Sequence, residues 1–239
     1  MNIKVSATQY NNPETHTKGF ASVTFDDKYA LEHIVIKQNS NDGLYVELPK
    51  IAKKQKENGA DVFDYNGNIK YEYVEPFHPI TAEAREQLYT AIIDKLQDNQ
   101  KGYKTYRISA GSNISRVYAN EINGGYNGKT AGIATVSFGD SFILENVAIM
   151  NGQNGEYLRL PKYRQKAKGE NGQPLYDENG KEKYEYRDIF HPITAEAQEE
   201  LKQNVISALN NKREANAQRH MSATQDDIMD LTQDQYYGR

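Results

Sequence analysis

The chain repeats itself at a spacing of 112–113 residues. Gly19-Phe20-Ala21-Ser22-Val23-Thr24-Phe25 returns as Gly132-Ile133-Ala134-Thr135-Val136-Ser137-Phe138. Gly43-Leu44-Tyr45-Val46-Glu47-Leu48-Pro49-Lys50 returns as Gly155-Glu156-Tyr157-Leu158-Arg159-Leu160-Pro161-Lys162. Tyr71-Glu72-Tyr73 matches Tyr184-Glu185-Tyr186, and the seven residues from His78 to Ala84 recur unchanged at His191 to Ala197. Solenoid units repeat every 20–50 residues or so, and a period this long marks a duplicated domain instead. The division that follows is a first module over 1–100, a linker over 101–112 in which Tyr103 to Ile108 could extend as a strand, a second module over 113–210 and a polar tail over 211–239, disordered or a frayed extension of the helix.

Each copy reads as short strands followed by one helix. The strands fall near 2–9, 19–25, 29–37 and 43–48, and near 114–119, 131–138, 142–150 and 156–160. They are rich in Val, Ile, Tyr and Phe and are bounded by Gly, Asn and Asp. Asn66-Gly67 and Asn179-Gly180 sit between further strand-like segments and predict two-residue hairpin turns, where both central residues need positive φ. Thr81 and Thr194 are N-caps, each followed by Ala-Glu in the first turn. Ala84, Leu88, Ala91, Ile92 and Leu96 make one apolar stripe, and Ala197, Leu201, Val205, Ala208 and Leu209 make its counterpart. The fold class is α+β: two small antiparallel sheets, each with a hairpin and a C-terminal helix on one face, paired as an internal pseudo-dimer. Pairing would cover edge strands, and the linker supplies the effective concentration for it.

Composition supports small units over one deep core. Apolar residues, tyrosine included, make up 37% of the 239, and exchanging the 18 Tyr for the 17 Gly hardly changes this. An average globular chain holds roughly 45–50%. There is no cysteine, which excludes disulfides, zinc ribbons and thiol nucleophiles. No apolar run approaches the ~18 residues of a membrane span, and Met1 to Tyr10 lacks the regions of a signal peptide. The expectation is a cytoplasmic protein with no membrane partner. The formal charge of −4 is not that of a general polyanion coat, so phosphate binding would need local clusters.

Gly-Leu-Tyr-Val-x-Leu-Pro-Lys, then a charged stretch, then Tyr186-Arg187-Asp188-Ile189-Phe190-His191-Pro192-Ile193 ahead of a helix resembles the stage V sporulation protein G (SpoVG, septation regulator) family. The strand Ala21 to Asp26 resembles it too. Copy one departs before its helix, with Val74-Glu75-Pro76-Phe77. The resemblance covers roughly 1–100 and 110–210. It implies a small antiparallel sheet with a C-terminal helix, homodimers paired through their sheets, and bacterial DNA- and RNA-binding regulators tied to sporulation and septum formation. The chain differs from a typical member in its duplication, in longer inserts at 50–71 and 162–184, and in its tail. Where many members carry a basic residue in the third strand, this chain has Val35 and Ala148.

Two basic rows are the sharpest chemical feature. Lys50, Lys53, Lys54 and Lys56 fall within seven residues, as do Lys162, Arg164, Lys166 and Lys168. The second set alternates, so an extended backbone would aim all four charges to one side, about 6–7 Å apart, a spacing suited to a phosphate backbone. The resemblance places nucleic-acid contact in the basic loop after this proline, which falls on these residues. Tyr163 interrupts the second row, and Tyr71, Tyr73, Tyr184 and Tyr186 flank the hairpins. Their rings could stack on bases, although tyrosine also suits half-buried sheet faces.

Other features carry less. His78 and His191 lack the ordered carboxylate or second histidine of a catalytic or metal set, and a backbone hydrogen bond at the sheet-to-helix junction accounts for them. His16, His33 and His220 have no histidine counterpart in the other copy. Gly124 to Thr130 departs from a phosphate loop, because Asn123 stands where its first glycine belongs and a strand follows. The tail's Asp226, Asp227, Asp230 and Asp234 surround Ile228, Met229 and Leu231 as a solubilising end or a docking motif. The sequence predicts a non-enzymatic, cofactor-free DNA- or RNA-binding regulator. The alternative is a protein–protein scaffold acting through sheet edges and tail, and further self-association stays open.

Overall fold

The computed structural model describes residues 1–122, 128–169, 171 and 173–236, with side chains through 219 and at 221. The first module holds β1 (Asn2–Asn12), β2 (Thr17–Phe25), β3 (Tyr29–Gln38) and β4 (Leu44–Glu47). The insert follows, with β5 (Ile51–Lys54), β6 (Lys56–Glu57), β7 (Ala60–Asp61) and β8 (Tyr71–Val74). The module closes with β9 (Phe77–Pro79) and α1 (Ala82–Asp98), and β10 (Tyr103–Arg107) comes after it. The second module holds β11 (Ile114–Glu121), β12 (Thr130–Phe138), β13 (Phe142–Gly152), β14 (Gly155–Arg159), β15 (Lys162–Lys166), β16 (Tyr184–Asp188), β17 (Phe190–Pro192) and α2 (Ala195–Tyr236).

The modules are joined by reciprocal strand exchange. In the first, β1–β4 form an antiparallel meander; in the second, β11–β14 do the same. The short β9 leaves its own module and pairs with β13, aligning Phe77 with Leu144 and Pro79 with Phe142. In return β17 pairs with β3, aligning Phe190 with Leu31 and Pro192 with Tyr29. Each helix then lies on the sheet of its own module, α1 against β1 and α2 against β11. The α+β pair of modules is therefore one structure. Phe25, Tyr29, Phe77, Phe138, Phe142 and Phe190, all nearly inaccessible, meet at the seam and belong to one continuous core.

The helices start where the sequence places them. The Thr81 hydroxyl accepts from the Ala84 N–H at 3.1 Å, and Thr194 does the same for Ala197 at 3.1 Å. The stripe from Ala84 to Leu96 is buried, as are Ala197, Leu201, Val205 and Leu209 of its counterpart. Gly19 and Gly132 let the helices approach: a Cβ at Gly19 would stand 2.5 Å from Leu96 Cδ1 and 2.8 Å from the Thr8 carbonyl oxygen.

Two open readings are decided and one expectation changes. The connection at 101–112 is not a bare linker, because β10 pairs with β1 from Asn2–Arg107 to Ser6–Tyr103 and satisfies that sheet edge. Tyr106 and Lys104 of β10 reach the Asp94 carboxylate on α1 at 2.6 and 2.7 Å. The matching outer edge of β11 has no strand beside it among the described residues. Past 210, α2 continues as helix to Tyr236, with Arg213 gripping Glu121 and Glu156 at 3.1 and 2.9 Å. The tail side chains from Asp226 to Asp234 lie outside the described residues. Finally, Asn66-Gly67 is not a two-residue turn. Only Gly67 has positive φ (80°), and the Asp64 carboxylate accepts the N–H groups of Asn66 and Asn68, building a wider loop. Asp177 and Gly180 repeat this in the second module. Paired positive φ angles occur instead at Asn58 (51°) and Gly59 (84°), between β6 and β7, and at Asp26 (44°) and Asp27 (56°), between β2 and β3.

Candidate nucleic-acid interface

Both basic rows lie on the inserts. Lys50 precedes β5, Lys53 and Lys54 lie within it, and Lys56 begins β6. In β15 exposure alternates, so Lys162, Arg164 and Lys166 share the solvent side while Tyr163 and Gln165 turn inward. Lys168 follows at an isolated bridge to Pro174. Strand β5 pairs with β8, β15 pairs with β16, and β15 also touches β5. Strand exchange thus sets the two inserts side by side, although 112 residues separate them along the chain.

Carboxylates accompany most of these cations. Lys50 lies 3.5 Å from Glu47, Lys53 lies 3.9 Å from Glu72 and Lys54 lies 2.8 Å from Asp61. Lys162 is 3.2 Å from Asp188, and Lys166 is 2.7 Å from Glu182. The hydrogen bond from Lys166 holds the Glu182 carboxyl below its usual range, and Lys54 does the same for Asp61. The Arg164 guanidinium carbon lies over the Tyr184 ring, 3.5 Å from its centroid. Lys56 stands across from Asp61 and helps to hold its carboxyl low, though without a direct ion pair. Exposed ion pairs contribute only ~0–1 kcal/mol each, so a phosphate can displace these carboxylates at small cost.

The inward side of β15 carries a contact that sequence reading missed. The Tyr163 hydroxyl meets His33 Nδ1 of the first module at 2.8 Å and Gln165 Oε1 at 2.5 Å. Gln165 donates onward to Glu185, which also accepts from Arg187 at 2.9 Å. With the proton on Nδ1, the chain runs from His33 through Tyr163 and Gln165 to Glu185. His33 has φ 63°, and its counterpart Asn146 has φ 61°. This shared left-handed residue marks a bulge in each third strand. Burial, then Arg187 and His191, keep His33 less basic than a free imidazole. The only sequence signal was a histidine present in one copy.

The two His-Pro residues differ. His78 Nδ1 meets the Glu75 carbonyl oxygen at 3.0 Å, whereas His191 Nδ1 is buried with no hydrogen-bond partner among the described residues. No group of three or more metal-ligating side chains gathers among the described residues. No described helix is long and apolar enough to cross a membrane. Residues Asn123 to Tyr126 and Asn127 of the glycine-rich segment lie outside the described residues.

The family model of SpoVG matches twice, over residues 1–98 and 113–211. The chain belongs to the SpoVG family, as a tandem duplication. Putative septation protein SpoVG of Heliobacterium modesticaldum is 30% identical over 95 residues, 40% of this chain and 86% of that protein. The Treponema denticola protein of the same description is 31% identical over 94 residues, 39% of this chain and 84% of its own length. That of Desulforudis audaxviator is 32% identical over 81 residues, 34% of this chain and 74% of its own. Each relative thus corresponds to one module. No solved structure matches the chain.

Proposed function

We propose that this SpoVG-family chain is a non-enzymatic, cofactor-free regulator of the septation class that acts in the cytoplasm by binding DNA or RNA. The relatives named for septation favour the regulatory part. The contact between β5 and β15 is the observation that carries nucleic-acid binding. It sets the segment of Lys50, Lys53, Lys54 and Lys56 beside that of Lys162, Arg164, Lys166 and Lys168, and in this reading the two segments meet one nucleic acid together. The test is electrophoretic mobility of single- and double-stranded DNA and RNA at about 50 mM salt and above, with the parent and a variant in which all eight are alanine. The parent shifts nucleic acid and the variant does not. Replacing only the four lysines of the first row flattens the salt dependence by a slope of roughly 0.9 per lost duplex-phosphate contact. Equal binding by parent and eightfold variant removes the site assignment.

A protein–protein scaffold is the second reading. The carboxylates beside five of the eight cations favour it, as does the uncovered edge of β11. No mobility shift with any nucleic acid, together with self-association or capture of a protein, selects this reading.

A further inference from the structure

The sheet of the first module has a face turned away from α1, and an aromatic ring lies open on it. Cross-strand register aligns Thr8, Phe20, Val35 and Glu47 in one row over β1, β2, β3 and β4. Phe20 is 44% exposed in the middle of this sheet, while its neighbours Gly19 and Ala21 face the core. The Tyr10 ring lies 5.2 Å from it. The next row pairs Ser6 with Ser22. Beyond that row stand Tyr163 and Gln165, delivered by the insert of the other module, and at the rim stands Lys50. Tyr10 apart, these residues bound an open groove of about 700 Å³ that Glu32 and His33 also line, a size typical of small-ligand sites.

Phe20 contributes little to the core, and its exposed ring is solvated at a cost. An apolar floor flanked by hydroxyls and by the Glu32 and Glu47 carboxylates suits a planar group whose edges carry N–H donors, and Lys50, 3.5 Å from Glu47, is the cation an attached anion would meet. A nucleobase with its phosphate has this chemistry. The bases of a duplex present no free face, so the occupant is unpaired. We infer that this sheet face is a stacking platform for one unpaired nucleobase, with Phe20 as its floor and Lys50 leading the strand to the basic row. The inference rests on the nucleic-acid reading above and deepens it to single strands.

The second module supplies an internal comparison. Its matching row is Asn120, Ile133, Ala148 and Arg159, with no ring. In the next row Tyr118 is 58% exposed on the same face, beneath the Arg116 guanidinium, so the second module offers a ring at a different position.

The test measures fluorescence anisotropy of a labelled 12-nucleotide single strand, oligo(dT) or oligo(U), and of a duplex of equal length. It compares the parent with Phe20→Ile, Phe20→Tyr and Ile133→Ala. Circular dichroism melts confirm folding of each variant. Phe20→Ile weakens single-strand binding by roughly 10- to 100-fold, the loss of one stacked base, and leaves duplex binding unchanged. Phe20→Tyr, which keeps the ring, binds as the parent does, and so does Ile133→Ala. If Phe20→Ile binds single strands like the parent, or weakens both forms equally, the platform is refuted while the cationic surface stands. If the parent binds no nucleic acid, both readings fall together.

Discussion

The rings of Phe77 and Phe190 stack face to face, with centroids 4.3 Å apart and planes 10° from parallel. They are equivalent residues of the two copies, so the stack marks the approximate twofold axis. Around it Phe25 and Phe142 meet edge to face at 5.6 Å. Each stacked residue belongs to a strand lent to the other module, and both lie at the centre of one core.

Phe77→Ala or Phe190→Ala should cost about 3–5 kcal/mol, the range for deleting a buried aromatic side chain. Because the ring serves both sheets, far-ultraviolet circular dichroism and near-ultraviolet tyrosine signals should shift together in urea, as one transition. Separate transitions for the two modules would show that the seam does not couple them.

Gly19→Ala should destabilise the chain by roughly 1–3 kcal/mol, the usual cost of overpacking. Leu96 can rotate away, but the Thr8 carbonyl oxygen is backbone and cannot yield cheaply. Gly132→Ala should behave alike, since its Cβ would stand 2.7 Å from the Asn120 carbonyl oxygen. Thermal melts check both, and an unchanged midpoint would disprove the close approach.

His33 should make the fold acid-sensitive. Its folded form binds a proton less readily than the ordinary pKa of 6.5, because burial and the nearby Arg187 and His191 oppose the imidazolium. As pH falls through 6.5, the unfolded chain takes up the proton first, so stability is lost until the folded pKa is passed. His33→Asn keeps a residue that accepts the left-handed backbone, as Asn146 does. The variant should lose less stability than the parent between pH 7.5 and 5. Urea midpoints at the two pH values measure this, and identical losses would rule it out.

Arg213→Ala should loosen the far end of α2 without unfolding the module. The guanidinium ties the helix to β11 and β14 through Glu121 and Glu156. Amide exchange should quicken around residues 210–221 and stay unchanged around Leu201 and Val205. Uniform exchange along the whole helix would contradict that anchoring role.

Local chemistry was legible and exchange was not. The repeat, the threonine caps and the apolar stripes could be read because each leaves a pattern within one turn or one strand pair. The three-residue strands Phe77–Pro79 and Phe190–Pro192 are too short to show alternation, and no local pattern reveals which sheet receives them. Asp64 and Asp177 changed the hairpin turns by competing for backbone N–H groups that the Asn-Gly signal ignores. The basic rows were visible as residue types, but, Glu47 apart, their carboxylate neighbours arrive from the far arms of the folded inserts. Phe20 read as an ordinary strand residue, since its exposure depends on which face the helix covers.

Mutual lending of strands within one polypeptide frees the halves from identity. In an assembly of two identical chains, every substitution appears twice and must suit both places. Here His33 faces Tyr163 once, while Asn146 and Ile51 occupy the mirrored positions. In the fused chain a contact can therefore change on one side while its mirror position keeps a different packing.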